Sequence, residues 1–174
     1  MSDSPAPSAA GNALDRISLA TGRAAAWLTL VMVLVTFVVV IMRYVFDAGM
    51  IWLQESVTWM HAAVFMLGAA YTLFAEEHVR VDIFYRRMSA VGRAWVDLLG
   101  VLLFLLPFCA YLAWASWDFA AVSWAIRETS RESGGLPYPL IPLLKSIVVV
   151  MPLAVGMQGL SLGAKSLSRI RGER

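Results

Sequence analysis

The side chains able to do chemistry in this 174-residue chain stand at five places. Glu76, Glu77, His78 and Asp82 offer the ligand types of a metal site, but Arg80 among them adds positive charge where a cation would bind. Val79 and Val81 alternate with the polar residues, so the segment reads as an extended, charge-paired hinge built on Glu77, His78, Arg80 and Asp82. His61 has no acid near it in sequence to complete a proton relay. It is expected to hydrogen-bond a hydroxyl or carbonyl on a neighbouring helix. Arg43 and Glu55 flank one short connection and suit either an ion pair or separate snorkelling to water. Cys109 is the single cysteine, so no intramolecular disulfide forms and it packs as a small hydrophobe. The run Arg127-Glu128-Thr129-Ser130-Arg131-Glu132 reads either as a solvated helix end or as a docking surface, with Arg127, Glu128, Arg131 and Glu132 the candidates. None of these sets forms a catalytic constellation, and no enzyme activity, cofactor or metal is expected.

The elements that position these groups are four uncharged apolar stretches, Ala24–Met42, Ser56–Ala75, Leu98–Trp117 and Ser146–Ala164, each 19 or 20 residues long. About 20 helical residues at 1.5 Å rise match the roughly 30 Å hydrocarbon core of a bilayer. An all-α membrane protein with four transmembrane helices follows, the second span entering near residue 53. Composition agrees: 60% hydrophobic and 15% charged, against roughly 45–50% and 25% in soluble domains. A net charge of +2 without a basic run gives no reason to expect nucleic acid. A chain with so little that ionises inside the membrane is poorly equipped to carry polar solutes alone, and reads as a subunit.

Residues 1–13, rich in Ser, Ala and Pro, are expected to be disordered. The first apolar run is too long for a signal sequence and is followed by Arg43-Tyr44 rather than a cleavage site, so it is retained. The amino-terminal flank, the second connection and the tail together hold ten Lys and Arg; the first and third connections hold four. The positive-inside rule puts both termini in the cytoplasm. Phe84, Met88, Val91, Trp95 and Leu98 share one helical face opposite Arg86, Arg93 and Asp97. That pattern predicts an interfacial helix over about 84–97, the alternative being a solvated loop. A second interfacial helix is expected over about 14–22, capped by Asn12. The four-helix domain thus covers 14–165, and 166–174 form a basic tail. The third helix is expected to run through Arg127 until Gly134-Gly135, with Pro137, Pro139 and Pro142 delaying the fourth to about Leu143. Pro107 and Pro152 should kink their spans.

In order along the chain, several of these segments resemble one family. They are Arg43-Tyr44-Val45-Phe46, Trp52-Leu53-Gln54-Glu55, Leu67-Gly68-Ala69-Ala70, His78-Val79-Arg80-Val81-Asp82 and Gln158-Gly159-Leu160. Together with the Glu-containing outer loop and the proline in the fourth span, they resemble the small membrane subunit (DctQ type) of tripartite ATP-independent periplasmic (TRAP) transporters. The likeness runs from about Leu14 to Leu162. Family members often carry two acids where this chain has Gln54-Glu55. The resemblance implies a bacterial inner-membrane complex in which a periplasmic binding protein captures a solute, commonly an organic acid. A large membrane subunit carries the solute and sodium sites and moves in an elevator-like manner. The small subunit would be part of its static scaffold, in contact with membrane lipids. The competing class is a membrane anchor of a respiratory enzyme, with or without haem. His61 and His78 lie about 25 Å apart along a helix axis, too far to share one haem.

Overall fold

The computed structural model describes residues 9–74, 85 and 87–172. Within them the chain is helical throughout its elements, in the order α1 (Ala9–Tyr44), α2 (Ile51–Phe74), α3 (Ala90–Gly100), a π-helical turn (Val101–Leu105), α4 (Leu106–Ala125) and α5 (Leu140–Gly172). Four helices are long and apolar enough to cross a membrane: Leu19–Tyr44, Ile51–Leu73, Ala90–Ala125 and Leu140–Gly172. One end of the bundle carries the α1–α2 and α4–α5 loops and is called the loop end below. Residues 9 and 172 lie toward the other.

The helix ends depart from the sequence expectations for identifiable reasons. Nothing breaks the helix between Ala9 and Tyr44, so residues 9–13 are helical and the expected 14–22 interfacial helix is continuous with the first span. Asn12 therefore lies inside α1 rather than capping a separate helix. Gly22 is where α1 meets the Tyr71 ring so closely that a Cβ would collide with it. The start of the second expected interfacial helix, residue 84, lies outside the described residues; α3 itself starts at Ala90, where Ser89 Oγ caps it by accepting the Gly92 N–H at 3.2 Å. It then runs unbroken into the third span. Pro107 has no N–H to give to the carbonyl one turn back; the preceding turn widens, and the Leu106 N–H reaches Val101 O instead.

Ala94 of α3 and Val101 of the π-helical turn are buried, and both elements pack against α5, whereas Trp95 is exposed. Asp97 does not project freely, since its Oδ2 accepts the Tyr85 hydroxyl at 2.8 Å. α4 ends at Ala125, short of Arg127. Arg127 itself takes the left-handed conformation (φ 49°) usual for glycine. Its N–H bonds Trp124 O at 3.2 Å and the Glu128 N–H bonds Ser123 O at 3.0 Å, the paired closure of a Schellman motif. α5 begins at Leu140, since Pro142 falls in the first turn, where a missing N–H costs nothing. It continues to Gly172, so the basic tail is helical that far.

α5 is the central helix and touches each of the others. Its buried positions include Gly156, Gly159, Ser161, Gly163 and Ser166, and the Leu105 side chain sits where a Gly159 Cβ would be. The core elsewhere is Ala63, Ala70, Ala94, Cys109 and Ala120 with Met60, Val101 and Leu136, while most of the large apolar side chains point outward. Lipid gives no hydrophobic drive for burying large groups, so close backbone approach over small residues holds such helices together.

Candidate functional site

The chemistry-bearing residues gather at the loop end. Glu55 lies in the opening turns of α2, where backbone N–H groups have no helical partner. The Trp52 N–H donates instead to Gly134 O at 3.1 Å, bringing the α4–α5 loop onto the helix start. The Glu55 carboxylate then takes the loop at two points. Oε1 accepts the Ser130 hydroxyl at 2.5 Å and Oε2 accepts the Leu136 N–H at 2.7 Å. Ser130 N–H returns a bond to Leu136 O at 3.0 Å, which closes the loop on itself.

Two glycines make this geometry available. Gly134 has φ +77°, and a Cβ on Gly135 would collide with Ser130 Oγ and the Glu55 carboxylate. Of the two arrangements open to Arg43 and Glu55, ion pair or separate snorkelling, the described residues show no pair: the Glu55 carboxylate clamps the loop. Arg43 is exposed and lines a cleft of about 390 Å³ with Asp47 and Gln54.

A second attachment ties the loop to α5. Lys145 Nζ lies 2.6 Å from Glu128 Oε2, with both side chains mostly covered, and 4.2 Å from the centroid of the Phe119 ring. The hydrogen bond from Lys145 holds the Glu128 carboxyl below the usual carboxylate range. Indole N–H groups complete the fastening: Trp59 donates to Leu140 O and Trp124 to Ser146 Oγ, each at 2.8 Å.

Of the four docking candidates, Glu128 is thus spent on structure, while Arg127, Arg131 and Glu132 remain exposed on the fastened loop. His61 is exposed on α2 and, among the described residues, bonds no neighbouring helix; its ring lies 4.6 Å from that of Phe65 on the same helix. Glu77, His78, Arg80 and Asp82 lie outside the described residues. Among the described residues no three His, Cys, Asp or Glu side chains gather as a metal site would require.

Sequence reasoning missed Ser130, Leu136 and Lys145 as partners. The Gly134-Gly135 pair is visible as a turn, but nothing local says that a carboxylate from another helix fills the space beside it.

Four apolar spans over a small-residue core, with hydrogen-bonding chemistry clustered at one end, define a multi-pass helical membrane protein. The family profile described as "Tripartite ATP-independent periplasmic transporters, DctQ component" matches residues 32–171, and the chain belongs to that family. It is 32% identical over 111 residues to the C4-dicarboxylate TRAP transporter small permease protein DctQ of Vibrio cholerae serotype O1 (strain ATCC 39315 / El Tor Inaba N16961). The alignment covers 62% of this chain and 46% of that protein, about half the relative's length. No solved structure matches the chain.

Proposed function

We propose that the chain is the small scaffold subunit of a bacterial inner-membrane TRAP transporter. It supports a large subunit that takes up an organic acid with sodium, delivered by a periplasmic binding protein. The observation that carries this reading is the interior: the buried polar side chains among the described residues are Ser123, Gln158, Ser161 and Ser166. Each is uncharged, and an ion or acid path through the bundle would need ionisable or metal-coordinating groups there. A static support needs only close helix packing. The name of the Vibrio relative makes C4-dicarboxylates the first solutes to try.

Both termini are cytoplasmic in this reading, from the Lys and Arg asymmetry, so the fastened loop faces the periplasm and presents Arg127, Arg131 and Glu132 to the binding protein.

The test is reconstitution of the large subunit in liposomes with and without this chain, with uptake measured at saturating binding protein and an inward sodium gradient. Uptake that requires the chain supports the proposal, and equal uptake without it ends it. A reporter after Arg174 should be active only as a cytoplasmic marker, and one at Gly134 only as a periplasmic marker.

A further inference from the structure

We infer that one face of α2 is covered by a transmembrane helix of the large membrane subunit, which presents hydrogen-bond acceptors to Gln54, Thr58 and His61 and an acidic side chain to Arg43. The inference rests on the scaffold reading above and adds the face and the chemistry. Ile51, Gln54, Thr58, His61 and Phe65 are all exposed and recur at three- and four-residue spacing, so they form one stripe along the helix. His61 is ten residues beyond the start of α2 at Ile51, about 15 Å along the axis and inside the uncharged stretch 56–75 that crosses the hydrocarbon core. Gln54, Thr58 and His61 make no side-chain hydrogen bond among the described residues. Acyl chains cannot supply one, and an unsatisfied polar group in hydrocarbon is costly.

The other helices turn fewer such groups outward. α5 exposes the apolar side chains Val150, Leu153, Met157 and Leu160, and α4 sets the Tyr111 hydroxyl and the Trp114 indole N–H among the apolar neighbours Phe104 and Phe108. Thr36 of α1 is also exposed, but its hydroxyl is satisfied by Met32 O at 2.7 Å. The polar stripe on α2 is therefore a local feature and not a property of the whole surface.

The seam beside the stripe has room for an incoming side chain. A cleft of about 390 Å³ between α1 and α2 is lined by Thr36, Val40, Arg43, Gln54, Val57 and Thr58. A second copy of this chain is a poorer occupant. Two copies inserted the same way are related by an axis along the membrane normal, so each depth meets its own kind and Arg43 approaches Arg43. A different helix carrying an acid at that level avoids the repulsion.

The experiment uses the chain co-expressed with its large subunit in membranes. p-Benzoylphenylalanine replaces Thr58 or His61, and Phe108 in a control, and adducts formed under ultraviolet light are identified by mass spectrometry. Positions 58 and 61 are expected to capture the large subunit, and position 108 is not. Adducts between two copies of this chain, or with lipid alone at 58 and 61 while the complex still co-purifies, overturn the assignment of this face and leave the scaffold reading standing. Failure of the unaltered chain to co-purify with the large subunit overturns both. As an independent readout, Thr58→Val and His61→Leu should each lower the yield of complex about threefold, the effect of one lost intramembrane hydrogen bond, with the helix content of the isolated chain unchanged. Undiminished yield in the double variant also counts against the proposal.

Discussion

α4, α5 and the loop between them engage several of their polar groups within the chain. Glu128 meets Lys145, Trp124 meets Ser146, and the loop backbone meets Glu55. α1 and α2 leave much of theirs on the outer face: Arg43, Gln54, Thr58 and His61 are exposed, and no residue of α1 from Leu19 to Tyr44 is buried. The contrast separates two duties of a membrane subunit. On the proposed scaffold reading, one half and its fastened loop hold a fixed shape, and the other offers its hydrogen bonds to a partner. Substitutions in the first half should then be read in the isolated protein, and those in the second only in the complex.

The largest effect belongs where helices touch over glycine. Gly159→Leu drives a branched side chain into the space that Leu105 occupies. Overpacking of this kind costs about 1–3 kcal/mol when neighbours can move and more when the obstacle lies on a packed helix. We expect loss of the monodisperse detergent-solubilised protein, seen by size exclusion. Leucine at Gly68, beside which a Cβ meets nothing, should leave the isolated chain intact. Equal damage at both positions would remove the distinction between the halves.

Next comes the clamp. Glu55→Ala leaves the Leu136 N–H and the Ser130 hydroxyl without their acceptor. Hydrogen bonds to a charged group contribute about 1.5–3 kcal/mol each. The loop should open before the bundle melts, so proteolysis near residues 130–136 rises while helix content stays constant. Gly135→Val should do the same by forcing Ser130 and Glu55 apart, and failure of either variant to expose the loop would show that the clamp is not what fixes it.

How far the sequence made this visible differs between the same two regions. The four spans are legible because a bilayer demands an uncharged run of 19 or 20 apolar residues and a soluble core rarely does. Helix ends are less so. α4 stops at an arginine in the left-handed region, where glycine would have announced the turn, and α3 begins at a serine cap inside a stretch whose apolar period continues on both sides. Glu55 and His61 stand out as rare polar residues near spans, but their partners are not legible. Ser130 lies 75 positions from Glu55 and Leu136 lies 81, and the encoded signal is only that glycine 135 has no side chain. For His61 no hydrogen-bond partner lies among the described residues, and a single sequence names none on another chain.

A smaller effect is expected from the Glu128–Lys145 pair, and its sign with pH is fixed. The folded state holds the Glu128 carboxyl below its ordinary range, so the unfolded chain binds the proton more readily. The pair's stabilisation is therefore complete above the usual carboxylate range and fades as pH falls through and below it. Glu128→Gln should lower the melting temperature at neutral pH and flatten the acid side of the profile. An unchanged acid slope would mean that the pair is not the titrating element.

The smallest effect on the chain itself, and the one that tests its outward duty at the loop end, is expected at Arg131 and Glu132. Both are exposed on a loop fastened at either side, so reversing their charges should leave the folding stability within about 0.5 kcal/mol of the parent, as ordinary surface changes do. Rim charges set the encounter rate and its salt dependence more than the final affinity. In reconstituted transporter, Arg131→Glu with Glu132→Lys should reduce uptake when binding protein is limiting and at low salt. Raising the binding-protein concentration should restore much of it, and the large subunit should still co-purify. Glu128→Lys is a poor probe of the same idea, because it breaks the pair with Lys145 and moves the loop as well as its charge. Uptake unaltered at every binding-protein concentration in low salt would reduce this loop to a well-fastened helix connection, and leave the α2 face as the outward surface of the chain that still calls for a partner.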